Sequence, residues 1–294
     1  MIIALIVIVI IAVMFLQGCN KKPVPTPQPP EDLPPEAPRY RALFIGVSKY
    51  RNYDGAIDLK TPAPNTQKLK TLFSKFRFGE TKTPVEVINT LTNEDATKQG
   101  IFNAIHSTFK DAKENDVSYF YYMGHGNLRL GTPIITPADY KYTDFLSMIT
   151  VHELKEELDK IKGHKVIFLE TCHGGNFIER DVRSLGLDFD KQVIQAFKEV
   201  SRDTLNRQGY YVLTSSAGSQ LSWENQWLNF SYFCKPLIEG CEGKADLNGD
   251  NKIGLSELYR YVTDWIAKQS LPEQQHPQIY PEGSNFVICE KEGD

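Results

Sequence analysis

From residue 39 onward, short apolar runs alternate with amphipathic stripes. Residues 41–47 (Arg-Ala-Leu-Phe-Ile-Gly-Val) read as a buried first strand, because the run is apolar throughout and ends in turn-prone residues. Residues 65–77 place Leu69, Leu72, Phe73 and Phe76 on one helical stripe. The pattern then predicts a strand at 85–88, a helix over 94–112 with Ile101, Ile105, Thr108 and Phe109 on one face, and a third strand at 117–123. A helix over 151–161 aligns Val151, Leu154, Leu158 and Ile161, and strands at 166–169 and 210–213 follow. Strands that alternate with helices imply right-handed crossovers and a largely parallel sheet covered by helices. The stretch 174–208 is rich in charge; residues 189–200 read as helical and the remainder as a long loop, a class that is usually functional or mobile.

The first 38 residues follow different rules. Ile2 to Leu16 is unbroken apolar sequence, signal-peptide in length and short for a spanning helix. It ends in Leu16-Gln17-Gly18-Cys19, and this ending resembles a bacterial lipoprotein signal. That resemblance implies cleavage after residue 18, lipid on Cys19, export, and anchoring at the cell envelope. The run departs from the pattern in having no Lys or Arg ahead of it. Residues 23–38 contain eight prolines, which exclude helix and central strand and predict an extended, semi-rigid spacer. The expected organisation is thus a signal at 1–18, a Pro-rich linker at 19–38 and a folded domain at 39–294.

Composition narrows the function classes. The chain has 294 residues, 41% of them hydrophobic, with a formal net charge of −4. That length buries a core without disulfide staples, and the slightly acidic balance excludes a strongly basic nucleic-acid binder. Five cysteines are too few for a disulfide scaffold.

Two predicted strand ends carry the chemistry. The third strand runs into Gly124-His125-Gly126, and the fourth into Glu170-Thr171-Cys172-His173-Gly174-Gly175. Ligands of open α/β sheets sit beyond the carboxyl ends of the strands. A thiol is mostly protonated at neutral pH, and a neighbouring imidazole can take its proton and make it a nucleophile. Cys172 is therefore the candidate nucleophile and His125 its base. His173 competes as base, but successive side chains of an extended segment point to opposite faces, which favours His125. The backbone N–H groups of Gly126 and Cys172 are candidates for an oxyanion hole. His106, His152, His164 and His276 have no matching partner in the sequence.

This ordered pair of motifs resembles the caspase-like cysteine peptidases, most closely their bacterial metacaspase-like members. The opening Arg41-Ala-Leu-Phe-Ile-Gly-Val-Ser-Lys-Tyr50 looks like that family's first strand. Thr214-Ser-Ser-Ala-Gly, Glu224 and Gln275-His-Pro277, with a last strand near 285–289, fit the same pattern. The 47 residues from His125 to Cys172 are close to the family's spacing of about 50. The resemblance implies a three-layer fold with a mixed, mostly parallel sheet of about six strands. It also implies peptide-bond hydrolysis of protein or peptide substrates through an acyl-enzyme. The family usually has Asp two residues before the Cys, binding a basic P1 side chain; here Glu170 holds the place. A second acidic residue expected after Asn65 is Thr66 instead. P1 Arg or Lys is the expectation that follows, with Glu170 as specificity residue. Self-cleavage in 174–208 after a basic residue is a further implication. The competing class is a non-catalytic binding module on the same fold.

Residues 246–257 match a calcium-loop pattern, with Asp246, Asn248, Asp250 and Glu257 as side-chain donors and Lys252 through its carbonyl. Asn251 replaces the usual glycine and tolerates the left-handed conformation. The same residues also suit hydrogen-bonded Asx turns and a helix cap. No helix of the calcium-loop type is evident before the loop. Cys234, Cys241 and Cys289 remain; an exported chain could pair Cys234 with Cys241, but buried free thiols are the plainer expectation.

Overall fold

The computed structural model describes residues 36–172, 189–198, 209–215, 224–225, 229–272 and 275–291. All of these but Glu36 belong to one unit, Ala37–Asp294. The signal, most of the linker, His173 and the loop segments 174–188 and 199–208 lie outside the described residues, as does the side chain of Cys172. Among the described residues no helix is long and apolar enough to cross a membrane.

The apolar runs become the centre of one sheet. β1 (Tyr40–Gly46) lies between β3 (Thr83–Thr92) and β4 (Val117–Arg129), parallel to both. β7 (His164–Cys172) adds in parallel to β4, and β8 (Tyr210–Thr214) in parallel to β7. Two short antiparallel strands close the edges: β2 (Arg77–Phe78) on β3, and β12 (Gln278–Tyr280) on β8. A further antiparallel extension, β5 (Thr132–Ile135) and β6 (Ile149–Thr150), grows from the end of β4. The sheet thus holds nine strands among the described residues, against the six expected. Five of the expected strands form its centre; the sixth, near 285–289, is β13 (Val287–Glu290), which pairs instead with β11 (Lys252–Gly254) in a separate antiparallel pair, as β9 (Glu224–Asn225) does with β10 (Phe230–Ser231). The four additions, β2, β5, β6 and β12, are two to four residues long, too short to show a period of their own.

Both faces are covered, which is why the central strands read as continuous apolar runs. Leu43, Ile45, Phe120 and Tyr122 point into one core with the helices α2 (Lys98–Phe109), α3 (Val151–Asp159) and α4 (Phe189–Lys198). Ala42, Phe44, Tyr119 and Tyr121 point into the other, beneath α1 (Pro62–Phe73), α5 (Cys234–Glu239) and α6 (Leu255–Ala267). Helix boundaries follow local chemistry. α3 starts where Thr150 and Glu153 cap each other, and the first turn of α1 carries proline, whose missing N–H costs nothing there.

Two expectations need correction. The third strand does not stop at Met123 but runs on through Gly124-His125-Gly126 to Arg129, so the histidine lies within a strand and not in a loop. A helix does precede the acidic loop: α5 continues into a π-helical turn, Gly240–Lys244. It escapes a pattern search because it is six residues long and interrupted by Pro236.

Candidate active site

His125 and Cys172 are register partners on adjacent parallel strands. Neighbouring strands lie about 4.8 Å apart, so residues 47 apart in sequence meet at the carboxyl end of the sheet. His125 is held from several sides. Its backbone N–H donates to the Tyr50 hydroxyl at 2.8 Å, and its carbonyl accepts from the Tyr122 hydroxyl and from the Thr136 N–H, both at 3.0 Å. The Tyr50 ring lies 5.0 Å from the imidazole. Nε2 is 2.7 Å from the Ile57 carbonyl oxygen. A carbonyl only accepts, so this contact places the proton on Nε2 and, in the neutral ring, leaves Nδ1 as the basic atom. Nothing in the sequence pointed to Ile57 or to Tyr50 as partners of His125.

The two glycines beside His125 serve close packing. A Cβ on Gly126 would stand 2.7 Å from Cβ of Thr171, and one on Gly124 would stand 2.5 Å from the Tyr122 hydroxyl. Neither adopts a positive φ, so the chain makes no sharp turn at these positions. That turn comes later, at Leu130 and Gly131, where β4 folds back into β5. Hydrogen-bonding direction alternates along a strand, and the His125 carbonyl faces Thr136, the residue that follows β5. The Gly126 N–H therefore faces the opposite side, toward β7.

Glu170 stands opposite Met123, two residues before Cys172. Its carboxyl is buried and accepts from the Tyr121 hydroxyl at 2.7 Å, with the Ser231 hydroxyl as a second partner. Burial pushes its pKa up to about 7; the nearby Glu224 charge adds to this, while the two hydroxyls oppose it. Glu224 is anchored in turn by the Thr61 hydroxyl at 2.5 Å and by the N–H groups of Thr61 and Lys60, each at 3.2 Å. Asn65 is fully buried, donates weakly to Ser231 at 3.5 Å, and keeps its Oδ1 without a hydrogen-bond partner among the described residues. A second carboxylate stands near enough to Glu170 for its charge to be felt there. It comes from Glu224, 54 residues further along the chain. Gln275 donates to the Ser215 carbonyl at 2.8 Å, tying the C-terminal segment to the end of β8.

The acidic loop lies apart from this site and is exposed. Asp246 accepts from Gly249 and Asn251, Asn248 from Asp250, and Asp250 from Lys252, at 2.8–3.0 Å. Glu257 accepts from Leu247 at 3.3 Å and from Gly254 at 2.9 Å, the second of these capping α6. Asn251 has φ 63°, the conformation expected of a residue standing in for glycine. Among the described residues no three His, Cys, Asp or Glu side chains converge as a metal cluster. Cys234, Cys241 and Cys289 are all buried free thiols.

A mostly parallel sheet flanked by helices, with a histidine and a cysteine paired across the ends of two central strands, defines a caspase-like α/β protein. Residues 39–285 match the caspase domain of the C14 peptidases, and the chain belongs to that family. It is 24% identical to metacaspase-1B of Neurospora crassa over 194 residues, which are 56% of this chain and 43% of that protein. It is also 24% identical to metacaspase-1A of Aspergillus terreus over 193 residues, 55% of this chain and 45% of that one. The chain thus spans less than half the length of these curated relatives. Its fold is similar to the crystal structure of a protein from Geobacter sulfurreducens, with a TM-score of 0.55 and 16% identity over 83% of this chain and 93% of that one.

Proposed function

We propose that this chain is a cysteine endopeptidase working through a Cys172–His125 dyad. The observation that carries the reading is the register of His125 with Cys172, together with the Ile57 carbonyl that leaves Nδ1 basic. Cys172 gives its proton to His125 and attacks the scissile carbonyl. The oxyanion is held by the N–H groups of Gly126 and Cys172. His125 then protonates the leaving amine, and water, deprotonated by His125, hydrolyses the acyl-enzyme. Glu170, Glu224 and the unpartnered Asn65 Oδ1 form an acceptor-rich wall suited to a P1 Arg or Lys. Self-processing would fall in 174–208, of which only 189–198, the helix α4, belongs to the described residues.

By the same proposal, Cys19 carries lipid and holds the enzyme at the cell envelope by its Pro-rich spacer. Asp246, Asn248, Asp250, Glu257 and the Lys252 carbonyl are the oxygen donors of this loop; their carboxylates do not converge among the described residues and would have to draw together around a hard cation. Each carboxylate keeps acceptor capacity beyond its loop hydrogen bonds, so Ca²⁺ is the ion it would take. No step of the chemistry runs through it.

The test is cleavage of fluorogenic peptides varied at P1, with and without Ca²⁺, by the full chain and by Cys172→Ala and His125→Ala. Cleavage after Arg or Lys that falls by at least about a thousandfold in either variant is the expected result. Cleavage after another residue would keep the dyad and discard the P1 assignment. Processing of Cys172→Ala as fast as the parent would remove self-cleavage. Folded protein that cuts no peptide would instead be a binding module on this fold.

A further inference from the structure

We propose that Cys241 and Cys289 are a disulfide site, clamping the last strand to the turn that precedes the acidic loop. Cys289 lies on β13 (Val287–Glu290), opposite Ile253 of β11 (Lys252–Gly254). Cys241 lies in the π-helical turn Gly240–Lys244. These two segments are in direct contact. A Cβ placed on Gly243 would stand 2.9 Å from the Lys291 side chain, two residues beyond each cysteine. Both thiols are buried in one apolar cluster with Ala245, Ile253 and Tyr119. The Cys289 and Cys241 thiols hydrogen-bond to each other, and the Tyr119 ring lies beside both.

The pairing suggested by sequence proximity, Cys234 with Cys241, fits less well. Seven residues of helix separate their Cα atoms by about 10 Å, beyond the span of about 7 Å that a disulfide bridges. Cys234 instead packs beside Glu170 and Tyr121 on the side of the candidate active site.

The chemistry balances with a small disulfide such as oxidised glutathione. One cysteine thiolate attacks it, forming a mixed disulfide and releasing one glutathione thiol. The second cysteine displaces the other glutathione and closes the Cys241–Cys289 bond. Two S–H bonds are lost and one S–S bond is formed; two electrons and two protons pass to glutathione. Burial pushes the Cys289 thiol up, so exchange proceeds during folding or local opening and is slow in the closed protein. The bond closes a loop holding the acidic loop, α6 and the edge strand β12. It does not depend on the proposed peptidase activity.

The full-length Cys172→Ala chain, which lacks the reactive active-site thiol, would be reduced, unfolded and refolded in detergent with oxidised glutathione. It would then be alkylated and digested without reduction for mass spectrometry. The expected result is a peptide linking residues 241 and 289, lost in Cys289→Ser and kept in Cys234→Ser. Reduction is expected to lower Tm by about 10 °C, the size set by a loop of 48 residues. A 234–241 link, or alkylated Cys241 and Cys289 in refolded protein held under oxidised glutathione, would overturn the proposal.

Discussion

A carboxyl group in an apolar setting titrates where water would not put it, and Glu170 is this protein's example. Its ordinary pKa of 4.5 rises to about 7, because burial disfavours the anion and Glu224 repels it. The folded state therefore binds this proton more tightly than the unfolded chain does. The contribution of Glu170 to stability is full below about pH 4.5 and is lost as pH rises through about 7. Glu170→Gln is expected to flatten that decline and leave the protein more stable at pH 8, by up to about 3 kcal/mol in urea titrations. On basic-P1 peptides the sign reverses: only the anion pairs with the substrate cation. Parent kcat/KM should rise through pH 7, and Glu170→Gln should lower it about 100-fold, chiefly through KM. A pH-independent parent profile would argue against Glu170 as the P1 partner. At this scale His125, Glu170 and Cys172 were readable from local motifs. The contacts of Ile57 and Tyr50 with His125, and the approach of Glu224 to Glu170, were not, because these partnerships exist only once distant loops are brought together.

At the scale of elements, the start of β1 is tied to the start of β4 by one carboxylate. Asp116 accepts from Arg39 Nη2 at 2.9 Å, from Arg41 Nη1 at 2.7 Å, and from the N–H groups of Arg39 and Lys113. Burial alone would raise its pKa, but these donors outweigh it and hold the group below the ordinary carboxylate value. Asp116→Asn keeps the shape and removes the charge that Arg39 and Arg41 share, leaving Arg41 only its longer 3.8 Å pairing with Glu86. A loss of about 3 kcal/mol in unfolding free energy is expected, with kcat of the folded fraction unchanged, since Asp116 lies at the opposite end of β4 from His125. A loss below about 0.5 kcal/mol would show the cluster to be solvent-screened. The long buried strands were legible because both faces are apolar. The extension β5–β6 was not, because it depends on β4 continuing past the histidine, and that continuation rests on the hydroxyls of Tyr122 and Thr136.

At the scale of the molecule, the proposed lipid anchor makes a simple prediction. Cys19→Ser should move the protein from the membrane fraction to the soluble or precursor fraction, with metabolic lipid labelling lost. A variant that fractionates and labels like its parent would dismiss the anchor. The amino-acid sequence alone determined a mostly parallel, helix-covered sheet, since burial on both faces writes itself as apolar runs, and its motifs carried the resemblance to the caspase-like fold. It also marked the two candidate motifs around His125 and Cys172, because short-range chemistry is local in sequence. Only the tertiary structure decided which groups meet. Strand register put His125 against Cys172, packing brought Glu224 beside Glu170, and the antiparallel pairing of β11 with β13 brought Cys289 to Cys241. Those meetings depend on contacts between residues far apart in the chain, which no local pattern encodes.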